Sequence, residues 1–165
     1  MNVTLYSLVF YGAKLYADMG LQGVYLVLSF YGWYEWKHGG KNRTELHVTR
    51  APVRLLALAA VVAIVFAVAL GMILSRVTDA ALPWLDSATT ATSLVAQFMM
   101  TRKILENWAI WAAVDVVYVG MFIYKELYLT AGLYAVFFVL AVAGYRRWKS
   151  TLLTRFNDPR AIALA

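Results

Sequence analysis

The chain has 165 residues, of which 62% are hydrophobic, 15% aromatic and 15% charged. Water-soluble domains are usually about half apolar and about a quarter charged, so this composition excludes an ordinary globular fold and indicates an integral membrane protein. The net charge of +6 does not indicate a nucleic-acid partner, because the basic residues lie between long apolar runs, where they report membrane orientation. With no cysteine, the chain has no disulfide and no thiol chemistry.

Apolar segments predict an all-α integral membrane protein with about six transmembrane helices, since a helix needs about 20 residues to cross the hydrocarbon core. Five spans stand out by their hydropathy. In chain order they are Val3–Ala17, Leu21–Trp36, Leu55–Leu74, Ile104–Tyr124 and Leu127–Trp148. Short polar sequences at residues 18–20 and 125–126 separate the closely spaced pairs.

The segment Ala80–Met100 is the sixth predicted span, although it is rich in serine and threonine. Pro83 suits the first turn of a helix that begins near it. Four polar residues then recur at steps of four, three and four and share one helical face. They form a polar stripe of Asp86, Thr90, Ser93 and Gln97. A span with such a stripe is stable in a bilayer only if the stripe faces protein or a water-filled cavity.

The basic residues support six crossings. With six, twelve lysines and arginines fall on one side of the membrane and three, Lys14, Arg76 and Lys125, on the other. The positive-inside rule makes the richer side cytoplasmic and places the C-terminus there. Without the span Ala80–Met100, basic clusters would lie on both sides.

Residues 2–36 match residues 114–148 when the chain is shifted by 112 positions. Tyr6 falls on Tyr118, and Trp36 falls on Trp148. Both copies have the same orientation, so the repeat is parallel, with its axis along the membrane normal. We therefore expect a first repeat with its loop over residues 1–50, a linker helix over 51–78, and a second repeat with a cytoplasmic tail over 79–165. Only the second copy has a preceding helix, so the first bundle is expected to be N-terminally truncated; a misassigned start or a deletion would both produce this.

The fifth span carries a face suited to a flat cationic ring. Its residues are spaced three, four and three and share one side of the helix: Trp108, Trp111, Asp115 and Tyr118. A mid-membrane aspartate costs about 2.5–3.5 kcal/mol on insertion scales, so we expect it to face a cavity or a partner. Tryptophan faces attract a cation by roughly 1–2 kcal/mol per desolvated contact.

Further candidate contacts come from amides and from the repeat. Asn107 and Gln97 offer both a donor and an acceptor, as does Gln22 on the second span. The repeat places Tyr134 at the position of Gln22, and it places Asn2 at the position directly before Asp115.

Alternative interpretations of these residues stay open. Trp108 would also suit the belt of tryptophans at a membrane interface, to which we assign Trp33, Trp36, Trp84 and Trp148. Asp115 would also be satisfied by a purely structural partner. The two histidines have no ligand partners at metal spacing, and neither a catalytic triad nor a phosphate-binding glycine loop is present, so we expect no metal, no cofactor and no enzyme activity.

Several motifs resemble the PnuC family of nicotinamide riboside transporters. The most specific is Glu106–Trp111, with the sequence ENWAIW, which is similar to the family's W-x-x-W motif. The others are Asn2–Tyr6, Lys14–Asp18, Leu21-Gln22 with Tyr25, Tyr31–Trp36 and Thr101–Lys103. The resemblance implies two three-helix bundles joined by a linker helix, similar to SWEET sugar transporters, with the substrate between them. Compared with that pattern, we expect this chain to lack the first helix.

The resemblance also implies residue roles and a function. Trp108 and Trp111 would clamp the base, with Asn107, Gln97, Gln22 and Asn2 as polar contacts and Asp115, Tyr118 and Tyr134 as weaker candidates. It implies facilitated diffusion of nicotinamide riboside across the bacterial inner membrane, with lipid around the protein and no nucleic acid. Thiamine or another vitamin is an alternative substrate, a non-transporting or degenerate membrane protein is an alternative class, and a homo-oligomer stays open.

Overall fold

The computed structural model describes residues 16–40, 43–77 and 82–156. Within these ranges the chain forms five α-helices and no β-strand, which confirms the predicted all-α class. The helices are α1 (Tyr16–His38), α2 (Val53–Val77), α3 (Pro83–Thr101), α4 (Asn107–Tyr124) and α5 (Tyr128–Phe156). The predicted span Val3–Ala17 lies outside the described residues except for its last two positions.

Three of the described helices are long and apolar enough to cross a membrane, namely α2, α4 and residues Tyr128–Thr154 of α5. Helix α2 is strongly apolar, and most of its large side chains are exposed. An exposed apolar helix of this length is typical of a surface that packs against lipid. The total of six crossings stays a prediction, since α1 and α3 are less apolar.

Two helix boundaries differ from the predicted spans by more than three residues. Helix α1 already includes residues 18–20, where the hydropathy predicted a break, because a single glycine costs a helix only about 1 kcal/mol. Helix α5 continues for eight residues beyond the predicted end at Trp148, through a basic sequence. Backbone hydrogen bonding continues there after the apolar pattern has ended. Helix α3 begins at Pro83, as predicted.

Helix α3 is the central helix of the described structure. It packs against α1, α2 and α4, and α4 in turn packs against α5. Three residues of the polar stripe, Asp86, Thr90 and Ser93, are buried, as are the neighbouring Ser87 and Thr89. The stripe therefore faces protein, as predicted. The hydroxyls of Ser87 and Thr89 donate to backbone carbonyls one turn earlier, a common way to satisfy hydroxyls in an apolar helix.

The turns after α3 and α4 have the same form. Lys103 and Glu126 adopt left-handed backbone conformations, with φ of 50° and 59°. The next amide in each turn donates to a carbonyl five residues back, from Ile104 to Met99 at 3.0 Å and from Leu127 to Phe122 at 2.8 Å. This Schellman-type ending satisfies the last carbonyls of each helix and reverses the chain within a few residues.

The loop between α1 and α2 is joined to the turn between α3 and α4. The Thr49 amide donates to the Lys103 carbonyl at 3.0 Å, and the Leu105 amide donates to the Thr49 carbonyl at 2.9 Å. The Ala51 amide donates to the Glu106 carboxylate at 2.9 Å. These bonds fix the start of α2 relative to the start of α4.

Gly71 lets α2 approach α3 closely, and this contact can be tested. A Cβ at Gly71 would lie 2.6 Å from Cε3 of Trp84, so Gly71→Ala must displace the ring or separate the helices. Overpacking of this kind costs about 1–3 kcal/mol, so we expect a lower midpoint of thermal unfolding in detergent. Gly120→Ala is the matched control, because a Cβ there has nothing within 4 Å. Equal midpoints for the two variants would contradict the contact.

Candidate functional site

Five buried polar atoms on α3 and α4 have no hydrogen-bond partner among the described residues. On α4 they are Oδ1 of Asn107 and Nε1 of Trp108 and Trp111; on α3 they are the hydroxyls of Thr90 and Ser93. A buried polar group without a partner costs about 1–3 kcal/mol, and native proteins contain few of them. These atoms are spread along the two packed helices, and each of them can be satisfied by a polar ligand or by water.

Asn107 is the first residue of α4 and is completely buried. Its side-chain amide donates to the Ile104 carbonyl in the preceding turn. This bond fixes the side chain, so that Oδ1 is presented as an acceptor with a defined direction.

Trp108 is held by α5. Its ring packs on Gly144, where a Cβ would lie 2.7–2.8 Å from ring atoms. It also contacts the ring of Trp148 edge-on, with a distance of 5.3 Å between the ring centres and an interplanar angle of 83°. Trp148 in turn contacts Trp36 of α1, with 5.9 Å between the ring centres and an interplanar angle of 64°. We call Trp36, Trp108 and Trp148 the aromatic cluster. The assignment of Trp36 and Trp148 to an interface belt missed this contact, although their matching positions in the repeat were a signal.

Trp111 is held from a different side. Its ring lies 5.8 Å from that of Tyr25 on α1, at an interplanar angle of 59°. The two tryptophans of the predicted clamp are therefore positioned by different helices, Trp108 by α5 and Trp111 by α1. Tyr25 was not nominated as a site residue, although it stands one helical turn after Gln22.

Tyr118 and Tyr134 come together, but in the core between α4 and α5. Their ring centres lie 4.7 Å apart, and Phe122 contacts both. Tyr118 belongs to the buried apolar cluster that includes Met121 and Ala131, so in the described structure these tyrosines pack the helix pair.

Asp115 is buried one turn before Tyr118, and no basic side chain of the described helices forms an ion pair with it. Gln97 is half-buried at the end of the polar stripe. Gln22 lies in α1, but its side chain is outside the described part, as is the whole of Asn2. Thr90 and Ser93 belong to the predicted stripe, and the structure adds them to the candidate site.

A polar network ties α1 to the end of α3. The Arg102 guanidinium donates to the Glu35 carboxylate at 3.2 Å and to the Tyr31 hydroxyl at 3.0 Å, and that hydroxyl donates to Glu35 at 3.0 Å. Nearby, the Trp36 indole donates to the Met100 carbonyl at 3.0 Å. We call Tyr31, Glu35 and Arg102 the basic-side latch, since it lies at the end of the helices where the basic residues concentrate.

The sequence profile of the nicotinamide mononucleotide transporter family matches residues 1–150. The chain belongs to this family. It is 30% identical to the nicotinamide riboside transporter PnuC of Escherichia coli K12, over 90% of this chain and 72% of that protein. It is 28% identical to the riboflavin/roseoflavin transporter RibM of Streptomyces davaonensis, over 87% of this chain and 70% of that protein.

Comparison of the structure with solved structures gives the same family. The crystal structure of the vitamin B3 transporter PnuC superposes with a TM-score of 0.74 at 27% identity, and the match covers 92% of this chain and 69% of that one. The predicted membership of the PnuC family is confirmed. Together with the apolar helices, it identifies the chain as a membrane protein of a transporter family.

The position of Trp108 depends on the absence of a side chain at Gly144. Gly144→Ala places a methyl group about 2.7 Å from the ring, so the ring must move. We expect the near-ultraviolet circular dichroism of the tryptophans to change while the far-ultraviolet spectrum does not. Gly132→Ala on the same helix is the control, because a Cβ there has nothing within 4 Å. Near-ultraviolet spectra that stay identical in both variants would disprove this seating of the ring.

Proposed function

We propose that the chain transports nicotinamide riboside across the bacterial inner membrane by facilitated diffusion, with the C-terminus in the cytoplasm. The observation that carries the proposal is the start of α4, where two buried indole N–H groups and the Asn107 oxygen have no partner among the described residues. The names of the PnuC relatives support this substrate.

The chemistry of nicotinamide riboside fits these groups. Its ring is flat and cationic, so tryptophan faces attract it both by stacking and electrostatically. The carboxamide can donate to Asn107 Oδ1, and ribose hydroxyls that extend along α3 can bind the free hydroxyl of Ser93. The buried Asp115 carboxyl, one turn beyond Trp111, has no basic partner among the described residues, so a bound cationic substrate would stabilise its charged form.

The contact between Trp36 and Trp148 supports a parallel repeat. These residues correspond under the shift of 112 positions, and their rings meet at 5.9 Å. Equivalent residues of two copies related by an axis touch only near that axis. In this proposal the axis therefore passes between α1 and α5, the first bundle comprises residues 1–50, the linker 51–78 and the second bundle 79–165.

Alternating access assigns a role to the basic-side latch. If the two bundles rock about a central site, contacts between them on one side must break when that side opens. The latch joins α1 of the first bundle to α3 of the second. We propose that it is the closed gate on the cytoplasmic side.

A second candidate substrate is another vitamin, either thiamine or a flavin. Thiamine also has a flat cationic ring. The riboflavin/roseoflavin transporter RibM favours a flavin in particular, since this chain is 28% identical to RibM and 30% identical to PnuC. A neutral flavin would stack on the same tryptophans, but it would gain nothing from their attraction for cations or from Asp115.

Uptake into liposomes tests the function and the site together. We expect saturable uptake of labelled nicotinamide riboside, and Trp111→Ala should raise KM roughly 5- to 30-fold, from the loss of a contact worth about 1–2 kcal/mol. Trp111→Phe should keep part of the affinity. Trp33→Ala is the control, because Trp33 is 63% exposed and makes no contact with the candidate site among the described residues.

Each result separates one part of the proposal from the others. Wild-type protein that shows no saturable uptake of labelled riboside, thiamine or riboflavin would support a non-transporting membrane protein. Equal KM values for Trp111→Ala and Trp33→Ala would reject the site but not the function. Saturable uptake of labelled thiamine or riboflavin, without uptake of the riboside, would assign the alternative substrate.

The gate is tested by exchanging its charges. Glu35→Arg and Arg102→Glu should each change the maximal rate of uptake by about 2- to 5-fold, since a partly exposed ion pair contributes up to about 1 kcal/mol. The double variant restores opposite charges and should recover most of the wild-type rate, while KM stays the same in all three. A double variant no closer to wild type than the single variants would rule out the gate.

A further inference from the structure

An apolar groove of about 340 Å³ lies between α2 and α3. Only apolar side chains line it. Examples are Leu55, Ala59 and Phe66 on α2 and Ala91, Val95 and Met99 on α3. It occupies a different face of α3 from the polar stripe, so it is separate from the candidate site.

The extent of the groove matches one leaflet of a bilayer. On α2 its lining runs from Leu55 to Phe66, about 16 Å at the usual rise of 1.5 Å per residue. Half of the hydrocarbon core is about 15 Å thick. The groove begins at the basic ends of both helices, near Leu55 and Met99, and stops near mid-membrane.

The mouth of the groove is positively charged. Arg54 immediately precedes Leu55, is exposed, and forms no ion pair within the described ranges. The Arg102 guanidinium lies 5.9 Å from the ring centre of Phe98, which lines the groove, and it remains 45% exposed despite its bond to Glu35. The first turn of α2 carries no acidic residue, so its free amides add to the positive potential, which the Glu106 carboxylate at the Ala51 amide partly offsets.

We propose that this groove binds one acyl chain of an anionic phospholipid, with the headgroup phosphate held by Arg54 and Arg102 at the basic ends of α2 and α3. An apolar helix, from a second copy or from residues 3–17, would fill the groove but would leave Arg54 unpaired. A lipid chain of one-leaflet depth with a negative headgroup satisfies both the apolar lining and the charged mouth. The inference does not depend on which vitamin is transported.

Native mass spectrometry of the full chain tests the proposal. The detergent-purified protein is titrated with phosphatidylglycerol or with phosphatidylcholine of the same acyl chains. We expect one phosphatidylglycerol to stay bound per chain, at least 5-fold in preference to phosphatidylcholine. Arg54→Gln should bring the preference close to one, and Ala63→Leu, which fills the groove, should remove retention of both lipids.

Matched controls keep the test decisive. Ala69→Leu makes the same change at an exposed position of α2 outside the groove and should keep the bound lipid. Thermal unfolding of each variant shows that it is folded. Equal retention of the two lipids by the wild type, or unchanged retention in Ala63→Leu, would overturn the proposal.

Cross-linking separates the lipid from the other occupants. The native chain has no cysteine, so a photoreactive probe attached to Ala63→Cys reports one position in the groove. The proposal expects the probe to label added phosphatidylglycerol. Labelling of a second copy or of residues 3–17 instead would refute it.

Discussion

The buried polar face of α3 is the constraint on which the rest of the described structure depends. A helix with this many hydroxyl and carboxyl groups is unstable against lipid, so other helices must surround it. Helices α1, α2 and α4 do so. Some of its hydroxyls bond to their own helix, but those of Thr90 and Ser93 find no partner among the described residues. The burial that places α3 at the centre therefore also leaves the hydroxyls of Thr90 and Ser93 available on a helix that packs against α4.

The start of α4 meets this polar face with rigid groups. Asn107 is held by the turn before it, Trp108 by Gly144 and the aromatic cluster, and Trp111 by Tyr25. Rigid side chains lose little entropy when a ligand binds, which favours affinity in a small site. Because α1 and α5 hold different tryptophans of α4, a movement between α1 and α5 would release one ring from its contact while the other ring stayed held. In the proposed mechanism, such a release would change the shape of the site when the bundles move.

Much of this arrangement was predictable from local periodicity. The steps of three and four residues placed Thr90, Ser93 and Gln97 on one face and Trp108 and Trp111 on another, because a helix has 3.6 residues per turn. The start of α3 at Pro83 followed from the same kind of local rule. The end of α5 did not, because hydropathy reports where lipid ends and not where backbone hydrogen bonding stops. The packing of Tyr118 against Tyr134 was also missed, since spacing along one helix does not show which neighbour a side chain meets.

The contacts hardest to predict join residues that are far apart in the chain. Trp36 and Trp148 are separated by more than one hundred residues, and each alone resembles an interface tryptophan. Only the repeat links them, and it does so by symmetry and not by any local pattern. The basic-side latch was equally hard to predict. Glu35 and Arg102 lie on different helices, and the sequence around either residue does not indicate its partner.

Helix α3 connects the two sites inferred from the structure. Its polar stripe faces the candidate substrate site, and a neighbouring face, with Ala91, Val95 and Phe98, forms one wall of the groove against α2. Packed helices move as rigid bodies because protein interiors are dense. A lipid chain that sets the separation of α2 and α3 would therefore also set the position of α2 relative to the body formed by α3 and α4, which carries Ser93 and Trp111. In the proposed mechanism, the charge of the surrounding lipid would thus affect transport through the seam between the linker helix and the second bundle.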